Sequence, residues 1–209
     1  GLTVHLVWYD TRNGNEEIFY KRSVDEGFSW SADTRLTTNA NNSILPSVSS
    51  LGLIVNVIWI DNRDGNYEVY YKRSTDAGVS WGTDTRLTNN ASVSLMASSA
   101  ISGSMVHVVW DDMRDGPNEI YYKRSTDEGI SWSPDTRLTS NSGVSWFPSV
   151  AAYDSHVQVS WVENSDGNPE IYTKRSTDAG VTWEVNLRQT NNIAISIRPT
   201  ISISGTYVH

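Results

Sequence analysis

The chain contains four lysines, Lys21, Lys72, Lys123 and Lys174, and successive ones are 51 residues apart. Tryptophan keeps the same interval twice over: Trp8, Trp59, Trp110 and Trp161 in one set, Trp30, Trp81, Trp132 and Trp183 in the other. Only Trp146 stands outside both sets. Scarce residues recurring at a fixed interval without slippage mean one supersecondary unit in consecutive copies, and stacking of those copies must supply the core. The unit reads roughly V-H-V-V-W-x-D-x-R-D-G-x-x-E-I-Y-Y-K-R-S-T-D-x-G-x-S-W-x-x-D-T-R-L-T. An Asn- and Ser-rich stretch and a Pro-Ser-Val-like segment follow it.

Within a unit the apolar residues alternate with period 2, and no segment has a helical period. We label the four expected strands A to D. Strand B, Val4–Trp8 in the first copy, keeps one face apolar throughout: Val55, Val57, Trp59; Val106, Val108, Trp110; Val157, Val159, Trp161. Its other face carries His5, Asn56, His107 and Gln158 in one row. Strand C is apolar on both faces, as with Ile18, Phe19 and Tyr20, which is how a strand covered on both sides reads. Strand D, Asp33–Thr37, is polar and suits an outer edge. Strand A is expected over 46–50, 97–101, 148–152 and 199–203.

About 50 residues and four short strands per unit is the arithmetic of a β-propeller blade. The expected fold is therefore all-β, with four-stranded antiparallel blades. The units run approximately 1–44, 45–95, 96–146 and 147–197, with a fifth begun at 198–209. Together they make one propeller domain or a fragment of one, an arc of a larger ring of about six or seven blades. Self-association to complete a ring is the alternative.

Between strands C and D each copy has one turn: Ser23-Val24-Asp25-Glu26-Gly27-Phe28-Ser29-Trp30, and its counterparts around Asp76, Gly78, Trp81; Asp127, Gly129, Trp132; and Asp178, Gly180, Trp183. Asp accepts hydrogen bonds from its own turn, Gly permits a positive φ, and Trp covers the hairpin. Four identical catalytic aspartates, one per blade, would be odd, so a folding role is expected. The pattern S-x-D-x-G-x-[ST]-W resembles the Asp box, or BNR repeat, of the sialidase-like β-propellers, and the resemblance extends over the whole chain. It implies a propeller with the C–D turns on one rim and the B–C and D–A loops around the channel on the opposite face. It implies less about chemistry, because one fold carries many functions.

The B–C loops hold the candidate ligand groups Asp10, Arg12, Asp61, Arg63, Asp112, Arg114 and Glu163. They read either as a carboxylate–guanidinium cluster for a sugar or as pairs that fix each hairpin. Equivalence across copies favours the second reading. The resemblance also implies three arginines for a substrate carboxylate, a Tyr–Glu nucleophile pair and an Asp acid/base. The nearest match to the first arginine is Arg198 in Ile197-Arg198-Pro199, which lacks the aromatic residue of that motif; no nucleophile can be assigned. No cofactor is expected. Asp61, Asp64, Asn66 and Glu68 are oxygen ligands that calcium could take, without EF-hand spacing. The row of His5, His107 and His209 fits a polar contact between blades better than zinc. Trp146, beside Phe147 in a variable D–A loop, is the best single binding candidate.

Composition narrows the partners. With 24 acidic against 16 basic residues the net charge is −8, the wrong sign for a nucleic-acid footprint. There is no cysteine and no apolar run long enough to cross a membrane as a helix. The expected function is a non-catalytic extracellular propeller that binds a glycan or protein ligand, its location inferred from the resemblance. The alternative is an exo-sialidase or related glycoside hydrolase with part of its site elsewhere.

Overall fold

The computed structural model describes residues 2–205 and 207–209; Gly1, which opens the first copy, and Thr206, inside the fifth, lie outside the described residues. The strands are β1 (Val4–Asp10), β2 (Glu17–Ser23), β3 (Thr34–Arg35), β4 (Ser43–Leu51), β5 (Ile54–Asp61), β6 (Glu68–Ser74), β7 (Thr85–Arg86), β8 (Ser94–Ser102), β9 (Met105–Asp112), β10 (Glu119–Ser125), β11 (Thr136–Arg137), β12 (Ser145–Tyr153), β13 (His156–Glu163), β14 (Glu170–Ser176), β15 (Leu187–Arg188), β16 (Ile203–Ser204) and β17 (Tyr207–Val208). No helix occurs among the described residues. Three four-stranded meanders, β4 to β7, β8 to β11 and β12 to β15, follow a three-stranded sheet β1-β2-β3 and precede the hairpin β16-β17. All pairings are antiparallel. The chain divides into two compact units, Gly1–Ala91 and Ser92–His209.

Three boundaries differ from the sequence reading. Strand A begins earlier, at Ser43, Ser94 and Ser145, and absorbs a bulge between Ile44 and Ser47, Leu95 and Ser98, and Trp146 and Ser149. Strand A at 199–203 shrinks to Ile203–Ser204, because Tyr207–Val208 supplies ladder partners for two residues only. Strand D shrinks to Thr34–Arg35 and its counterparts, because side chains take over the ladder. The Ile18 amide donates to Thr37 Oγ1 at 2.8 Å, and Arg35 Nε donates to the Thr37 carbonyl at 2.7 Å. The threonines of strand D thus bond the neighbouring strand rather than merely blunting an edge.

The core lies between successive blades. In the first unit Ile18, Tyr20 and Leu36 pack on Val57, Trp59 and Tyr70. In the second, Val109, Ile120, Tyr122 and Leu138 pack on Val150, Val157, Val159, Trp161 and Tyr172. Trp59, Trp110 and Trp161 are fully buried, each removing a large apolar side chain from water at a gain of about 2–3 kcal/mol. One face of strand C meets the following blade through Ile18 and Tyr20 or Ile120 and Tyr122, and the other face meets the preceding blade through Tyr70 or Tyr172.

The C–D turn is built from its own side chains. Ser74 Oγ donates to Asp76 Oδ1 at 2.7 Å and accepts from the Gly78 amide at 2.8 Å. Asp76 Oδ1 accepts from the Ser80 amide at 2.9 Å, and Oδ2 accepts from Ser80 Oγ at 2.6 Å. The other three turns repeat these bonds through Asp25, Asp127 and Asp178. Hydroxyl and amide donors hold Asp76 at a pKa of about 2.

The turn also grips the preceding blade. Tyr20 meets Trp81 edge-on at 4.8 Å, and Arg22 Nη1 donates to the Ala77 carbonyl at 3.3 Å. Tyr122, Trp183, Arg124 and Ala179 repeat this in the second unit, at 4.9 Å and 2.7 Å. The tryptophan therefore covers the neighbouring blade's tyrosine, whereas the sequence reading placed the tryptophan over its own hairpin. The lysines act in the reverse direction. Lys72 Nζ donates to the Leu36 carbonyl, as Lys174 Nζ does to Leu138 at 2.6 Å. Lys72 also pairs with Asp84 of its own blade at 2.9 Å.

The polar row of strand B bonds within its blade, correcting the expected contact between blades. His5 Nδ1 and His107 Nδ1 lie 2.6 and 2.7 Å from the hydroxyls of Tyr20 and Tyr122, and Tyr71 donates to Asn56 Oδ1 at 2.7 Å. The two histidine bonds aim the clamp tyrosines Tyr20 and Tyr122. Burial, with Arg124 nearby, lowers the His107 pKa from 6.5 to about 4.

Two stability predictions follow from these contacts. A Cβ at Gly78 would stand 1.9 Å from Tyr20 Oη at φ +80°, whereas one at Gly27 meets nothing closer than 4.0 Å at φ +96°. Gly78→Ala should cost about 2–4 kcal/mol in chemical denaturation, combining backbone strain with overpacking, and Gly27→Ala about 1–2 kcal/mol from strain alone. Equal costs would reject the clamp. His107 binds its proton more weakly folded than unfolded, so its contribution is complete above pH 6.5 and is lost as pH falls towards 4. His107→Asn, which places the residue of the second copy there, should remove about 3 kcal/mol of that acid sensitivity. The check is the difference between the wild-type and variant stability profiles.

Candidate functional site

The four B–C loop carboxylates turn back into their own blades. Asp61 accepts from Trp59 Nε1 at 2.9 Å, Ser43 Oγ at 2.8 Å, and Arg63 Nε and Nη2 at 2.9 and 2.6 Å. Arg63 Nη1 then reaches Asp84 at 2.7 Å, and Lys72 closes the chain of charges on Asp84. Arg63 also lies over Tyr70 at 4.4 Å. Asp112, Arg114, Asp135 and Lys123 repeat the chain, as do Asp10, Arg12, Asp33 and Lys21. Asp61 and Asp112 are 0% exposed. Burial alone would raise the Asp61 carboxyl's pKa, but the donors from Arg63 and Trp59 outweigh it and the net shift is downward. In the fourth copy Ser165 and Asn186 stand where arginine and aspartate stood. There Glu163 accepts from Trp161 Nε1 at 3.0 Å and from Ser165 Oγ. In the first three copies these side chains tie strands B, C and D together.

Of a second carboxylate layer the sequence reading singled out only Glu68, as an oxygen ligand for calcium. Glu17, Glu68, Glu119 and Glu170 are fully buried at the start of strand C. Each accepts from a strand-D threonine, Thr37, Thr88, Thr139 or Thr190, and pairs with Arg35, Arg86, Arg137 or Arg188. Their signal was present: all three residue types recur at the 51-residue interval. Asn66 Nδ2 donates to Glu68 Oε1 at 3.2 Å, while Tyr70 and Arg86 engage Asp64. The oxygens of Asp61, Asp64 and Glu68 thus accept from protein donors. Among the described residues no group of three or more His, Asp or Glu side chains is gathered to hold a metal.

The copies differ most at the entry to strand A. Leu45, Met96, Phe147 and Arg198 share a left-handed backbone, with φ of 53°, 49°, 53° and 57°. A constant backbone presenting a different side chain in each copy is the usual form of a recognition position. In the second unit these departures meet. Trp146 and Phe147 stand edge to face at 6.5 Å, and the Arg198 guanidinium lies 5.3 Å from the Phe147 ring. Arg198 is exposed, and among the described residues it has neither hydrogen bond nor ion pair. The Phe147 amide donates to Asp111 Oδ2 at 3.4 Å. Asp111, 2% exposed, is the one charged residue in the row Tyr9, Ile60, Asp111 and Val162. Burial raises its pKa to about 7; the single amide donor opposes the rise and the adjacent Asp112 charge adds to it. Trp146 and Arg198 were candidates from sequence; Asp111 was not, although a lone acid in an apolar row was its signal.

No family model matches the chain, and no curated protein sequence does. Its fold is similar to several solved structures. The Trypanosoma rangeli sialidase in complex with 2,3-difluorosialic acid matches with a TM-score of 0.62 at 17% identity, over 88% of this chain and 35% of that one. A mutant α-L-arabinofuranosidase of Fusarium graminearum, bound to an iminosugar inhibitor, matches with a TM-score of 0.65 at 15% identity, over 95% of this chain and 62% of that one. A mutant of the NanB sialidase of Streptococcus pneumoniae matches with a TM-score of 0.54 at 14% identity, over 88% and 34%. The chain spans about a third of the length of these sialidases. The likeness establishes the fold class: this is a partial sialidase-like β-propeller of four-stranded antiparallel blades.

The buried and exposed versions of the loop pair separate structure from surface. Arg63→Ala strands the fully buried Asp61 without its cation and should cost about 3–5 kcal/mol. Arg12→Ala breaks the same pair where the side chains are 48% and 27% exposed and water screens the charges, and should cost far less. Denaturant midpoints of the two variants check the difference; similar losses would show that burial does not set the strength of these pairs.

Proposed function

We propose that the protein is a non-catalytic, extracellular glycan-binding propeller whose ligand rests on the strand-A entry formed by Trp146, Phe147 and Arg198. One observation carries this reading: the copy-specific aromatic and cationic residues lie together, while the repeated carboxylates and arginines are engaged inside their blades. An aromatic pair beside an exposed guanidinium offers an apolar platform for a sugar ring and a donor fork for its oxygens. Asp10, Arg12, Asp61, Arg63, Asp112, Arg114 and Glu163 then serve the scaffold, and the Asp-box-like turns hold blade to blade. The secreted location rests on the resemblance to sialidase-like propellers.

Glycosidase activity is the rival reading, supported by the sialidases and the arabinofuranosidase among the structural neighbours. A glycan array with the complete protein should give binding that Trp146→Ala weakens by tenfold or more, about 1.4 kcal/mol. Fluorogenic sialosides and arabinofuranosides should show no turnover. Turnover that Arg198→Ala abolishes, with no binding on the array, would replace this function with the enzymatic one.

A further inference from the structure

The Trp146–Phe147 bulge rests on a buried acid that no cation among the described residues neutralises. Asp111 lies on β9, opposite Leu95 of β8 and Ile120 of β10, and its one hydrogen bond comes from the Phe147 amide at 3.4 Å. The charged groups around it are committed elsewhere. β8 has none; β12 has no titratable group but the Tyr153 phenol at its far end. On β10, Glu119 is held by Arg137 and Thr139, Lys123 by Asp135, and Arg124 by the Ala179 carbonyl. On β13, His156 lies at the far end and Glu163 bonds Trp161 and Ser165. Asp112, next in the chain, is neutralised by Arg114. On the strand-A side, Arg198 is stacked on Phe147. A neutral carboxyl tolerates this setting; a carboxylate with one long donor does not, and must draw in water or shift the bulge.

We propose that Asp111 is a positioning residue that latches the Trp146–Phe147 bulge by its protonation state, seating the bulge when neutral and releasing it when charged. The proposal rests on the glycan-binding reading only for its consequence, which is that ligand is held at acidic pH and released at alkaline pH. The latch itself needs no ligand. Its direction follows from Asp111 holding its proton more tightly folded than unfolded: the seated form is complete at low pH and is lost as pH rises through about 7.

The test is a pH titration of the Phe147 amide resonance in the ligand-free protein. A single transition near pH 7 is expected in the wild type, together with a roughly twofold rise in acrylamide quenching of Trp146, read against Trp146→Phe. Asp111→Asn and Asp111→Ile, the latter placing the residue of the second copy, should both abolish the transition. A Phe147 amide that stays unmoved from about pH 5 to about pH 9, or that titrates unchanged in both variants, overturns the latch. A second arm measures binding of 3′-sialyllactose and of an arabinan trisaccharide. Affinity falling about tenfold across the transition in the wild type, and flat in Asp111→Asn, supports the consequence. A titrating amide without any binding leaves the latch standing and removes the glycan reading.

Discussion

Everything in this molecule depends on one contact: a tyrosine and an arginine from strand C of one blade closing on the C–D turn of the next. Tyr20 and Arg22 reach Trp81, Gly78 and Ala77; Tyr122 and Arg124 reach Trp183, Gly180 and Ala179. A four-stranded sheet of this size cannot bury both faces alone, so its stability is chiefly a property of the seam. The turn must then satisfy its own polar groups, follow a left-handed path through Ala77 and Gly78, and leave no Cβ where the phenol lies. Serine, aspartate and glycine meet those demands in order. The fixed period is the spacing at which the same seam can be made again.

The repeated charges are the second consequence. Short two-residue D strands leave the outer part of each blade poor in main-chain bonds. Two layers of ion pairs fill that gap, one from Asp61 through Arg63 to Asp84 and Lys72, the other from Glu68 to Arg86 and Thr88. Where the partners change, they change together. The first copy has Asn13 and Phe19 in place of the acid and phenol that bond as Asp64 and Tyr70. Such matched exchange is what a structural pair requires, and it argues against reading the carboxylates as a sugar-gripping cluster.

The fold was legible because its devices are local and repeated: the turn, the tryptophan sets and the alternating strands all appear in the chain as spacings. The bulge at Phe147 and the short D strand were not, since a positive φ on a non-glycine residue and a ladder continued through Thr37 Oγ1 depend on neighbours distant in sequence. The site was half legible. Trp146 announced itself by breaking the period, whereas Asp111 matters only because β12 folds its bulge onto it.

The fourth copy shows how departure from the repeat changes what a blade can do. In the rows where other copies carry Val7, Ile58 or Val109, then Tyr20, Tyr71 or Tyr122, then Leu36, Leu87 or Leu138, it carries Ser160, Thr173 and Gln189. Without the phenol there is no clamp tyrosine, and Arg175 Nε bonds Glu184 of its own turn at 2.8 Å. Gln189 Nε2 donates to Thr173 Oγ1 at 2.9 Å, so the face satisfies part of its polarity by itself. Ser160 Oγ is buried without a hydrogen-bond partner among the described residues. A neighbour seated on this face must therefore meet hydroxyl and amide groups, and the seam it forms depends on directed hydrogen bonds rather than on apolar area. The repeat is thus strictest in the first three copies and relaxed in the blade that also supplies Trp146 and Phe147.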